Sequence, residues 1–178
     1  MKKSLKIVLS IVLAASILCG GTVFAMMLVR SQAEENNFTP AVVSCEVEED
    51  FDGTQKTEIQ VKNTGNISAY LRVCLVTYWV NDKDEVVAKP SEMPEIAYNE
   101  ESWIKGGDNI YYYKTPVAPG FSTENLLSGA IVLQTDDENG YFQVIEVFAE
   151  AIQAEPDDAV IGSWKVTLDG SGKITAVP

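Results

Sequence analysis

The chain has 178 residues, a formal net charge of −13 and no histidine. Its length allows one domain with a real core after an export segment is set aside. The charge argues against binding nucleic acid or an anionic membrane surface. The missing histidine removes the usual zinc-ligand sets, the Ser-His-Asp and Cys-His nucleophile systems and a histidine general base.

The N-terminus is basic at Lys2, Lys3 and Lys6, and an uncharged apolar run follows over residues 7–29. That run is long enough to span a bilayer as a helix. It reads either as a signal peptide cut after Ala25 or as an anchor helix retained to about Val29. The lysines precede it, so they stay inside and the rest is sent out. Residues 1–25 hold three lysines and no acids, so cleavage would leave −16. Cys19 follows Leu18, not the small residue of a lipoprotein box, and lipidation is not expected. Residues 26–40 are a lead-in without a clear element.

From Ala41 the pattern is that of strands. Val43, Cys45 and Val47 alternate with Ser44, Glu46 and Glu48, which predicts a half-buried strand. Phe51-Asp52-Gly53-Thr54 turns the chain, and residues 56–62 alternate again with Ile59 and Val61 inward. Asn63-Thr64-Gly65-Asn66 is a second turn. Residues 68–81 are rich in β-branched and aromatic side chains on both faces, which predicts a central strand. A turn over 81–84 leads to a short strand over 85–88. Residues 89–108 read as a long proline- and acid-rich loop with room for a helical turn. Residues 109–114 form an aromatic strand, and Pro116 to Gly120 a rigid turn. Residues 130–135 are a strand and 136–140 a turn.

Residues 141–154 have the composition of an amphipathic helix but the alternation of a strand, and the alternation is preferred. Acids at 155–158 cap a short helix over 159–164. A hairpin over 166–176 closes the chain. Roughly eight or nine short strands with turns between them predict an all-β fold: an antiparallel β-sandwich or jelly roll over 41–178 with one short helix.

Each candidate site has a plainer reading beside it. The acidic turns at 81–85 and 136–140 could attract calcium through oxygen ligands, but solvated hairpin tips explain them better. No metal or other cofactor is expected. Glu146 and Glu150 could act as a glycosidase pair, but nothing gives them the differing environments such a pair needs. Trp103, Tyr111, Tyr112 and Tyr113 could form a contact surface for a protein or glycan; the plainer reading is a strand filling the core. Arg72, on a strand nearly free of charge, should pair with a carboxylate or stack on a tyrosine. Cys45 and Cys74 lie in the exported part, where a disulfide is allowed. They form either a bridge or two buried thiols.

Several segments together carry a family likeness. Gly20-Gly21-Thr22-Val23-Phe24-Ala25 resembles the end of signal peptides cut by the SipW class of signal peptidase. Asn36-Asn37-Phe38-Thr39-Pro40, the run from Val61 through Asn63-Thr64-Gly65-Asn66 to Val73, and Pro116-Val117-Ala118-Pro119-Gly120 extend it. The chain resembles the TasA/camelysin group of exported Gram-positive proteins, which includes biofilm matrix members. The resemblance implies a jelly-roll domain exported by a dedicated peptidase and assembled into extracellular fibres. It also implies that an N-terminal segment of one subunit, with Phe38, Val42 and Val43, adds as a strand to the next. Camelysin has been classed as a metallopeptidase; with no histidine here, that activity is not carried over.

The expected function is therefore a secreted or cell-surface structural protein that polymerises with itself and with other matrix proteins. It would meet the membrane only through its N-terminal segment. The alternative is a membrane-tethered module that binds a protein or glycan through the aromatic strand and the 89–108 loop.

Overall fold

The computed structural model describes residues 39–178. The apolar run, Cys19, the cleavage position Ala25 and Phe38 lie outside the described residues. Residues Ala41–Pro178 form a compact unit that holds every described strand.

Alternation builds the first hairpin. Strands β1 (Cys45–Phe51) and β2 (Gln55–Asn63) pair antiparallel around a turn at Asp52 and Gly53. Ile59 and Val61 are fully buried. β3 (Ala69–Val80) follows, with β4 (Val86–Val87) folded back on its end. Next come β5 (Trp103–Lys105), β6 (Ile110–Tyr113), β7 (Ile131–Val132), β8 (Thr135–Asp136) and β9 (Tyr141–Gln153). Helix α1 (Asp158–Trp164) and the hairpin of β10 (Thr167–Leu168) and β11 (Ile174–Ala176) complete the unit.

The fold is thus mostly β, with antiparallel pairing and one short helix among the described residues. One sheet has the order β1-β2-β7; the other runs β5-β6-β3-β9-β8, with β4 on β3. β3 is central because both of its faces are apolar. Leu71, Val73 and Leu75 join Ile59, Val61, Trp103, Tyr111, Ile131 and Ile145 in a core shared by the two sheets. On the opposite face Tyr70 and Tyr112 pack with Val160, Trp164, Val166 and Ile174, so α1 and the last hairpin cover that part of the sheet.

β9 is a strand along its whole length. Its pairing with β3 runs unbroken from Ala69 opposite Gln153 to Val80 opposite Phe142. Continuous pairing with β3 and burial of one face, with Gln143 and Ile145 inward and Phe142, Glu146, Phe148 and Glu150 exposed, win over helix propensity here. Two expectations need correction. The 89–108 loop contains β5, which pairs with the aromatic strand β6; Trp103 anchors it at 1% exposure. The strand expected over 130–135 is two strands in different sheets. β7 pairs with β2 and β8 with β9. The chain changes sheets between them, with the Leu133 N–H donating to the Thr54 carbonyl on one side and the Gln143 N–H to the Gln134 carbonyl on the other. Such a corner cannot be told from a continuous strand by alternation, because each half keeps the pattern.

α1 also departs from its expected cap. Asp157 stands at the N-cap but makes no side-chain capping bond. Asp158 in the first turn still complements the helix dipole. Lys165 in the left-handed conformation ends the helix.

Candidate assembly edge

Among the described residues, β9 has a partner on one side only over most of its length. β8 pairs with it at Tyr141 and Phe142. Beyond Gln143, no strand pairs with its outer edge among the described residues. The ladder shows which groups face out. The Ala154 N–H donates to the Ser68 carbonyl beside β3, whereas the Gln143 N–H points the other way, to Gln134. Direction alternates along a strand, so Ile145, Val147, Ala149, Ala151 and Gln153 turn their N–H and C=O groups outward.

β1 is the matching edge of the other sheet. The Thr64 and Gly65 N–H groups donate to the Ser44 carbonyl, and the Asn66 N–H to the Val42 carbonyl. Even-numbered residues therefore face β2, and Cys45, Val47 and Glu49 turn their backbone groups away. β1 and β9 approach with Cα–Cα distances within 8 Å and no ladder between them. Two strand edges thus face each other across a slot.

The slot has two unlike ends. At one, Cys45 and the β9 residues Val147, Ala149 and Ala151 are half-buried and pack against the core. A 550 Å³ hollow adjoins this end, lined by Ala41, Asn66, Ser68, Pro119, Gln153 and Glu155. At the other, Val47, Glu49 and Lys56 face residues 144–147 across a 390 Å³ groove. There Lys56 Nζ lies 2.7 Å from Glu49 Oε2 and 5.1 Å from the Phe51 ring centroid. Its side chain is 7% exposed.

Plain alternation with Ile59 and Val61 inward would point Lys56 at solvent. The register slips between Asp50 and Phe51, which puts Lys56 opposite Phe51 and leaves Thr57 without a partner. This bulge turns the lysine inside. The polar run Lys56-Thr57-Glu58 carries no sequence signal that marks the slip.

The turn at Asn63 fixes how the chain enters β1. Asn63 is fully buried. Its Nδ2 donates to the Ile67 and Val117 carbonyls at 2.8 Å each, and its Oδ1 accepts from the Gly65 N–H at 2.9 Å. The Val42 N–H donates to Asn66 Oδ1 at 2.7 Å. Val42 is 49% and Val43 37% exposed. The Val42 backbone is therefore tied to its own subunit while both side chains remain at the surface.

The aromatic contact surface is corrected by burial. Trp103, Tyr111 and Tyr112 are 1%, 0% and 2% exposed. Tyr113 packs edge-to-face on Trp103 at 5.1 Å, and Tyr98 likewise on Tyr111 at 5.3 Å. These rings fill both faces of the sheet, because β6 is covered on each side.

Cys45 and Cys74 are free thiols. Cys45 faces the shared core, whereas Cys74 alternates with the core residues Val73 and Leu75 and so faces the other way. No bridge joins them. Burial, and then the Glu150 charge, pushes both thiols above their ordinary pKa.

The carboxylates are engaged locally. Glu150 pairs with Arg72 at 2.5 Å, and Glu146 accepts from the Tyr78 hydroxyl at 3.4 Å. Asp136 is held by Lys89 and Asn139, and these bonds lower its pKa, Lys89's being the largest influence. Asn81 Oδ1 accepts from the Lys83 and Glu85 N–H groups, closing the other acidic turn. Among the described residues no cluster of three or more acidic or cysteine side chains is arranged to hold a metal. No helix among them is long and apolar enough to cross a membrane.

Comparison of the chain with protein-family models, with curated proteins and with solved structures finds no match.

Proposed function

We propose that this chain is an exported structural protein of the cell surface or extracellular matrix, built on a jelly-roll-type sandwich, whose copies join by strand addition. The lead-in of one copy, residues 26–40 freed by cleavage after Ala25, pairs with the edge of the next. Signal peptidase is then a partner in export, and the protein itself is the partner in assembly. The role is structural rather than catalytic.

The observation that carries this reading is that, among the described residues, a long run of β9 and the outer edge of β1 lie near each other with no strand paired to either. Unpaired edges recruit strands. A head-to-tail contact of this kind need not close, so it makes filaments. A strand seated between the two edges lies about 4.8 Å from each. The slot must therefore widen from under 8 Å to about 10 Å. Val42 and Ser44 are bonded to the Asn63–Asn66 turn of their own subunit, so the donated part lies upstream of them.

The test compares three proteins by sedimentation and electron microscopy: the chain from Met26, the chain from Ala41, and the longer chain with Ala151→Pro. The Ala151 N–H points away from β3, so proline there removes an outward donor and keeps the sheet. The chain from Met26 should form filaments and the other two should stay monomeric. Monomers in all three cases would refute strand addition.

A further inference from the structure

We infer that Lys56 and Glu49 set where an incoming strand stops, so that the slot accepts a strand along β9 from Gln153 to about Val147 and refuses it at Ile145. This rests on the strand-addition reading. The occupant is the 26–40 segment of a second copy.

The bulge in the first hairpin places the charge. Without the slip at Asp50 and Phe51, Lys56 would point to solvent. With it, a cation enters the space between the sheets, 7% exposed and held by Glu49 at 2.7 Å. An inward charge and a bulge are two devices that keep strand edges from pairing. Both stand at one end of this slot and neither at the other.

The lining residues divide the same way. Toward Gln153, the β9 side chains facing inward are Val147, Ala149 and Ala151, with Cys45 opposite. These are small and uncharged, so an apolar residue of an added strand can seat there. Toward Val144, the same position is filled by the ammonium of Lys56 and the carboxylate of Glu49. An apolar residue seated there would strip the remaining water from the Glu49 carboxylate, which is 38% exposed beside the already buried Lys56 ammonium, and that desolvation costs more than a methyl contact returns.

The chain supplies a strand of fitting character. Its lead-in reads Met27-Leu28-Val29 and then becomes polar at Arg30-Ser31-Gln32. A short apolar stretch matches the short apolar half of the slot. The hollow beside Ala41 and Gln153 opens at the accepting end.

Amide hydrogen exchange on the chain from Met26, before and after assembly, tests this residue by residue. Exchange at Ala149, Ala151 and Gln153 should slow by at least about tenfold on assembly, and at Ile145 by less than about twofold. In the double variant Lys56→Met, Glu49→Gln, the protection should extend to Ile145. In Lys56→Arg, the boundary should stay. Equal protection of Ile145 and Ala151 in the unaltered protein would overturn the stop and leave strand addition standing. Protection at none of these positions would overturn both.

Discussion

Arg72 and Glu150 stand opposite each other on β3 and β9, and Arg72 Nη2 lies 2.5 Å from Glu150 Oε2. The same guanidinium lies 4.6 Å from the Trp164 ring and 5.6 Å from the Tyr112 ring. One side chain therefore joins the sheet to the last turn of α1. The two halves of this arrangement differ in burial. The Arg72 side chain is 21% exposed and Glu150 60%. The solvated ion pair contributes little, so stacking and packing of the arginine should dominate.

Arg72→Met should therefore destabilise the protein by about 1–3 kcal/mol, and Glu150→Gln by less than about 1 kcal/mol. Lysine keeps the charge but loses the planar fork, so Arg72→Lys should fall between them. Urea unfolding followed by tryptophan fluorescence measures all three. Equal losses for Arg72→Met and Glu150→Gln would mean that the ion pair, not the stack, holds α1.

Glu150 also acts on two thiols that lie in different sheets, Cys45 on β1 and Cys74 on β3. Its charge raises the pKa of Cys45 and of Cys74, second to burial in each case. Glu150→Gln should lower both, so that alkylation at fixed pH becomes faster at each thiol. Burial persists in the variant, so neither should become as reactive as an exposed cysteine. Rates of iodoacetamide labelling against pH, resolved by peptide mass spectrometry, give the two curves. An unchanged Cys45 curve would remove Glu150 from the slot's surroundings.

Asp52 closes the first hairpin by accepting from the Thr54 N–H, the Gln55 N–H and the Thr54 hydroxyl. These bonds, the Thr54 N–H first among them, lower its pKa from 3.8 to about 2. The folded protein thus holds the carboxylate ionised where the unfolded chain would protonate it. The resulting stability is present in full above pH 3.8 and is lost as pH falls through about 2. Asp52→Asn cannot titrate. Its stability deficit against the unaltered protein should shrink between pH 6 and pH 2 in guanidinium unfolding. A deficit that stays constant would show that charge is not involved at this turn.

Most of the strands were legible because alternation and turn chemistry are local. Val61 to Val73, with the Asn-Thr-Gly-Asn turn inside it, foretold both β2 and the central β3. Arg72 was legible in kind: it pairs with a carboxylate and stacks on a tyrosine. The assembly edge was not legible. An edge is defined by what fails to lie beside a strand, and β9 alternates in the same way whether or not it has a second neighbour. Lys56 was hidden for a related reason, since one bulge inverts a face that periodicity assigns correctly up to that point. The tyrosines of β6 were ambiguous because a strand covered on both sides and an aromatic contact surface have the same composition.

Gly65 links the turn to the function proposed here. A β-carbon on it would sit 2.3 Å from the Val42 carbonyl oxygen and 3.1 Å from the Ser44 nitrogen. Both are backbone atoms, so the clash can be relieved only by moving the chain before β1. Gly65→Ala should therefore unseat residues 42–44 at a cost of about 1–3 kcal/mol, while the core beyond β1 keeps its packing. Asn63→Ala should cost more, about 2–4 kcal/mol, because it leaves the Ile67 and Val117 carbonyls and the Gly65 N–H without their side-chain partner. The two variants differ in what they release. Gly65→Ala should speed exchange of the Val42 amide and expose the 42–44 stretch to protease with little change in near-UV circular dichroism. Asn63→Ala should lower the unfolding midpoint of the whole unit. If strand donation needs the lead-in held at a fixed angle to its own subunit, Gly65→Ala should also shorten the filaments of the chain from Met26. Filaments of unchanged length beside a released Val42 would show that donation tolerates a loose hinge.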